Sequence, residues 1–180
     1  NLLYYVTDYA CMSHGYSFSL FAVFFYYVIV YYRNPSLKYI FILGFLLGLI
    51  SLIRPTNAII AILFLLWGIN TSAELKTRFL LFKTNLKHLF IFAFCSFLIW
   101  LPQLIYWYWL TDEFFYYSYV DEHFYFNDPY IFHGLFSFRK GWFIYTPIMI
   151  FAVIGLVQLY AKYKFAFLSI SLFVVVTCYI

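Results

Sequence analysis

The strongest constraint on this chain is a succession of long apolar runs that contain almost no charge. Six such segments can be drawn: residues 17–32, 37–53, 57–69, 88–110, 142–160 and 165–180. A helix crossing the roughly 30 Å hydrocarbon core of a bilayer needs about 20 mainly apolar residues. Continuous runs suit helices; a membrane β-barrel would show alternating segments instead. Only 10% of the 180 residues are charged and 66% are hydrophobic. A soluble surface carries roughly 25% charged residues, so neither a soluble globule nor a disordered chain fits. The expected fold is all-α: a polytopic transmembrane helix bundle of about six spans, with one long extracytoplasmic loop over 111–141. The chain reads as one membrane domain, 1–180, continuing beyond both ends, since it starts at Asn1 and stops inside an apolar run.

The linkers orient the segments. Arg33, Lys38, Lys76, Arg78, Lys83, Lys87, Lys162 and Lys164 fall on one side. Only Arg54, Arg139 and Lys140 fall on the other. Loops rich in Lys and Arg stay in the cytoplasm. The acidic residues divide the opposite way, with Glu74 inside and Asp8, Asp112, Glu113, Asp121, Glu122 and Asp128 outside. The inner linker 70–87 predicts an interfacial helix. Thr71-Ser72-Ala73-Glu74 reads as a capping box, and Leu75, Phe79, Phe82 and Leu86 recur at helical spacing among cations. It is either a binding element for anionic lipid or a connector lying on an acidic leaflet.

Polar groups close to a membrane are costly and mark candidate chemistry. Arg54-Pro55-Thr56-Asn57 interrupts an apolar stretch between helices too short to cross the bilayer comfortably. This turn should sit below the outer surface, in a recess lined by protein or water. Arg54 there could hold a phosphate, or could snorkel to the headgroups. In the outer loop, aromatics including Tyr117 and Tyr119 stand beside Asp121 and Glu122. Rings that stack on sugar C–H faces and carboxylates that accept hydroxyl protons would suit a carbohydrate; packing on the outer leaflet is the plainer alternative. Arg139 and Lys140, followed by Gly141 and then Tyr145-Thr146-Pro147, form a third feature, either a phosphate site or interface anchors. A fourth is the stretch Asp8 to Ser17, where Asp8 and His14 are acid–base candidates.

Several classes are excluded. His14, His88, His123 and His133 show no HxxxH or Glu-x-x-His spacing, so no metal or haem site is expected. The three cysteines show no CxxC pairing and read as free thiols. Nucleotide-binding and nucleophile-elbow motifs are missing from the sequence. The scattered cations do not suit nucleic acid.

Taken together, the polar stretches resemble a family. Met12-Ser13-His14-Gly15-Tyr16-Ser17-Phe18 resembles the "MSHAYSF" stretch of bacterial membrane glycosyltransferases of the GT-C superfamily, relatives of protein mannosyltransferases and aminoarabinose transferases. Arg54-Pro55-Thr56-Asn57 resembles their "IRPTN" turn. Tyr117-Ser118-Tyr119 and the stretch from Gly134 through Trp142 to Tyr145-Thr146-Pro147 resemble their "YSY" and "GLFSxRKGW…YTP" segments. The resemblance implies a multi-pass enzyme of the cytoplasmic membrane with an extracytoplasmic site. It implies inverting transfer of a sugar from a polyprenyl-phosphate donor to a lipid, glycan or protein acceptor. Under it, Arg54, Asn57, Arg139 and Lys140 would bind the donor phosphate. His14, Tyr117, Tyr119, Asp121, Glu122 and Tyr145 would contact sugar or acceptor. Asp8 is a catalytic candidate, although the family's main carboxylate should lie upstream of Asn1. No cofactor is implied, and a divalent metal stays open. The alternative is a multi-pass transporter or lipid flippase, which would need polar groups through both halves of the bilayer and, in general, repeated broken helices. A structural or assembly subunit is the third possibility.

Overall fold

The computed structural model describes residues 13–116, 130–138 and 141–179. These residues are helical, with no strand among them. In chain order the helices are α1 (Ser13–Arg33), α2 (Leu37–Ile53), a 3-10 turn (Pro55–Ile60) running into α3 (Ala61–Leu66), α4 (Ser72–Thr84), α5 (Leu86–Thr111), α6 (Ile131–Phe136), α7 (Trp142–Tyr145), α8 (Met149–Lys162) and α9 (Lys164–Tyr179).

Among the described residues, two helices are long and apolar enough by themselves to cross a membrane: α1 with 21 residues and α5 with 26. At 1.5 Å per residue they measure about 31 and about 39 Å. The other apolar helices, α2, the 3-10 turn with α3, α8 and α9, are shorter, at 10–17 residues. Two breaks shorten the helices below the expected six full spans. The first is at Arg54-Pro55, as the sequence suggested. The second divides the expected 142–160 segment, where α7 ends at Tyr145 and α8 begins at Met149. Thr146 precedes Pro147, and a residue before proline is driven out of the α region; Thr146 sits at φ −136°, ψ 71°. Pro102, in contrast, is carried inside α5 without ending it.

The core lies where α1, α2, α3 and α5 meet. Phe24, Val28 and Tyr31 of α1 pack with Ile40, Leu43, Leu46 and Ile50 of α2, and with Ile60, Leu63, Phe64 and Phe92. The α2–α5 seam is tight because Gly44 and Gly48 face α5. A Cβ on Gly44 would lie 2.6 Å from the Phe92 carbonyl oxygen, and one on Gly48 would lie 2.7 Å from Ile99 Cβ. Small residues one turn apart are how apolar helices approach closely. Across the seam Ser96 Oγ donates to the Gly44 carbonyl at 2.8 Å. In contrast, α8 has no buried residue, and Phe151 on it is 70% exposed.

The connector helix α4 forms with both halves of its capping box: Glu74 N–H donates to Thr71 Oγ1 at 3.3 Å, and Thr71 N–H to Glu74 Oε2 at 2.9 Å. One feature of the sequence reading is corrected: the helix stops at Thr84, so Leu86 belongs to α5. Leu80 and Leu81, which stand off the expected row, are also exposed.

Candidate functional site

The Arg54–Asn57 turn is built by its proline. Helix α2 ends at Ile53, and Arg54 is extended at φ −148°, ψ 121°, as the residue before proline must be. Pro55 then opens the 3-10 turn, where its missing N–H costs nothing. Asn57 N–H closes the turn on the Arg54 carbonyl at 2.9 Å. The Arg54 side chain is exposed rather than enclosed in a recess of the described residues. Among those residues no hydrogen bond or ion pair engages its guanidinium. It remains a fixed charge with the fork geometry that grips phosphate or carboxylate oxygens bidentately.

Asn57 ties this turn to the start of the chain's first helix. Its Nδ2 donates to Ser17 Oγ at 3.2 Å, across 40 positions of sequence. Ser17 lies in the first turns of α1, one turn from His14, which is exposed. Two of the four resemblance stretches therefore meet by a direct side-chain bond. The 3-10 turn and α6, which carries Gly134-Leu135-Phe136 of a third stretch, each pack against α9. Beyond α6, Gly141 N–H donates to the Ser137 carbonyl at 2.8 Å. A Cβ on Gly141 would sit 2.5 Å from that same residue's backbone, so this approach requires glycine. Tyr145 ends α7 and is exposed. Asp8, Tyr117, Tyr119, Asp121, Glu122, Arg139 and Lys140 lie outside the described residues. Among the described residues, no three of His, Cys, Asp and Glu gather as metal ligands would.

Two polar contacts escaped the sequence reading. Near the Arg54 turn, Trp100 Nε1 donates to Ser51 Oγ at 2.8 Å, and Ser51 Oγ donates in turn to the Leu47 carbonyl at 2.8 Å. At the opposite end of α1, Tyr31 Oη and His88 Nδ1 are 2.9 Å apart and buried. Beside them Tyr32 Oη donates to the Phe64 carbonyl at 2.5 Å. Arg78 of α4 lies over the Tyr32 ring, 3.9 Å from its centroid, and its Nη2 donates to the Trp67 carbonyl at 2.6 Å. That carbonyl belongs to the C-cap of α3, where a cation is favoured. The paired tyrosines at the end of α1 were the available signal, but their partners stand far away in sequence. Glu74 titrates below the usual carboxylate range, because the backbone N–H groups of Asn70 and Thr71 hold its charged form.

No family model, curated protein or solved structure matches this chain.

Proposed function

We propose that the chain is the membrane domain of a glycosyltransferase that moves a sugar from a polyprenyl-phosphate donor to a lipid, glycan or protein acceptor. In this reading the six apolar segments cross the cytoplasmic membrane, the shorter helices spanning with help from local bilayer thinning. The basic linkers lie inside, and the turn at Arg54 faces outward. The carrying observation is the bond from Asn57 Nδ2 to Ser17 Oγ, which joins the RPTN turn to the SHGYS turn beside an exposed guanidinium. Arg54 would meet the donor phosphate and stabilise the charge that grows on it as the bond to the sugar C1 breaks. Arg139 and Lys140 would add to that charge. Asp8, Asp121 and Glu122 would contact the sugar or take the acceptor's hydroxyl proton. Tyr117, Tyr119 and Tyr145 would offer rings to the sugar.

The test is incubation of the full-length protein in proteoliposomes with radiolabelled polyprenyl-phosphate sugars, scoring transfer to lipid or protein. Label should appear in an acceptor, and Arg54→Ala should lower the rate about 100-fold, as loss of one preorganised charge donor does. Asn57→Ala should lower it less, since it only holds the turn. Wild-type turnover in Arg54→Ala removes that residue from the site. Movement of intact donor between leaflets without transfer would assign a flippase instead.

A further inference from the structure

The face that α4 turns away from the bundle has no part in the reading above, and it carries its own chemistry. Arg78 and Phe82 fix the rotation of this helix. Arg78 is held by the Trp67 carbonyl and the Tyr32 ring, and Phe82 packs against Phe64 at 5.9 Å between ring centres. With those two residues facing inward, Phe79, Lys83, Lys76 and Leu80 fall within about 100° of arc on the outward side. Phe79 is 70% exposed and Leu80 57%, and both lysines are exposed. Among the described residues Lys76 and Lys83 make no hydrogen bond or ion pair. Their charges stand one behind the other at i and i+7, bracketed on each side by an apolar group. Both ends of α4 lead into apolar helices, and Lys87 continues the positive charge at the start of α5.

We infer that this arc is a docking surface for the anionic phospholipids of the leaflet against which α4 lies. Phe79 and Leu80 enter the upper acyl region, while the Lys76 and Lys83 stems run along them and bring their ammonium groups to headgroup phosphates. Charge complementarity selects the occupant. A second copy would set like charges against each other, and a neutral apolar partner would have to strip water from both lysines. The inference rests on the membrane reading of the chain but not on glycosyl transfer, and its test measures no transfer.

The experiment is amide hydrogen exchange over residues 72–84 of the full-length protein, one copy per nanodisc. One set of discs is phosphatidylcholine alone; the other contains about one third phosphatidylglycerol, a strongly anionic leaflet. Exchange in α4 should be slower in the anionic discs, and salt at about 0.5 M should remove most of the difference. Each lysine near an anionic surface contributes about fivefold, so Lys76→Gln with Lys83→Gln should reduce the protection about 30-fold. Lys162→Gln with Lys164→Gln removes the same net charge from another linker and should leave α4 protection unchanged. Equal exchange in the two lipids would overturn the inference. So would an equal loss from the control pair, which would assign the effect to overall charge. Protection that rises with protein concentration in detergent would assign the face to a second copy, also overturning it.

Discussion

Replacing Gly44 by alanine tests the seam on which the helix core depends. The added Cβ would lie 2.6 Å from the Phe92 carbonyl oxygen and 2.9 Å from Cys95 Cβ. Neither atom is the free end of a flexible side chain, so α5 must retreat. Restoring an ordinary carbon–oxygen contact takes a shift of about 0.8 Å, and a gap of 0.5–1 Å forfeits about a quarter to a half of each dispersion contact along the seam. Overpacking of this kind costs about 1–3 kcal/mol. The bond from Ser96 Oγ to the Gly44 carbonyl, 2.8 Å, stretches with it, and such bonds between membrane helices contribute about 0.6 kcal/mol. Against this, alanine is favoured over glycine in a helix by about 1 kcal/mol. The net expectation is a loss of about 0.5–2.5 kcal/mol, read as the unfolding midpoint of the purified protein titrated with sodium dodecyl sulfate in mixed micelles. Gly155→Ala is the control, since nothing lies within 4 Å of a Cβ at that position; it should be neutral or stabilising by up to about 1 kcal/mol. Cys95→Ala should not rescue Gly44→Ala, because the clashing atoms are backbone and Cβ. If Gly44→Ala unfolds at the midpoint of Gly155→Ala or above it, the packing argument is refuted.

Ser51→Ala should cost about 1 kcal/mol by stranding Trp100 Nε1, with a shift in tryptophan emission, whereas Trp100→Phe removes the donor and strands none, since Ser51 Oγ keeps its bond to the Leu47 carbonyl. Tyr31→Phe, which deletes the bond to His88, should lower stability by about 1 kcal/mol in the same titration. Thr71→Ala removes the cap on α4 and should cost about 1 kcal/mol, seen as faster exchange at the Glu74 amide. The Glu74 carboxyl is held below its ordinary range by the Asn70 and Thr71 amides. Its stabilisation of the α4 start is therefore complete above the unfolded-state value and fades as pH falls through the lower folded-state value. Exchange at Asn70 and Thr71, corrected for intrinsic rates, should stay flat from pH 7 to about 5, then rise as pH falls through and below the usual carboxylate range; a rise above that range would contradict the cap. A fluorophore on Arg54→Cys should report a plane beneath the headgroups, and a reading level with Trp109 would contradict the submerged turn.

The apolar runs made most helices legible because an unbroken apolar sequence without charge has few other ways to satisfy its backbone. One stop and one start were legible for a physical reason as well: the stop at Arg54-Pro55 by steric exclusion ahead of the ring, and the start at Thr71 through Glu74 by reciprocal capping. The stop at Thr146-Pro147 obeys the same steric rule, yet the strong apolar character on both sides concealed it. The α2–α5 seam had its own sign, two glycines four apart, which reads as ordinary helix unless one asks what must approach them. The site was less accessible to reading. The Asn57–Ser17 bond joins positions 40 apart and the Tyr31–His88 pair positions 57 apart. No local periodicity encodes such pairings; they depend on how the helices assemble. The resemblance gathered the first pair on one face; for the second, the paired tyrosines marked one end and nothing pointed to His88.

These polar pairs also supply a ruler. Ser17 and Tyr31 mark two polar contacts of α1, and fourteen positions of helix are about 21 Å. On α5, His88 and Trp100 mark the corresponding contacts, twelve positions or about 18 Å apart. Between the marks α1 offers Phe24 and Val28, and α5 offers Phe92 and Cys95, all buried. Two helices thus place these contacts about 20 Å apart, with the Ser96–Gly44 bond between them, a span shorter than the roughly 30 Å of a bilayer core. In the proposed orientation, with the Tyr31–His88 pair near the inner boundary, Asn57, Ser17 and Ser51 then lie about 10 Å beneath the outer one. At that depth irregular backbone survives only beside protein or water. Ser17, Asn57 and the 3-10 turn satisfy one another there, leaving Arg54 as the group whose charge asks for an anion.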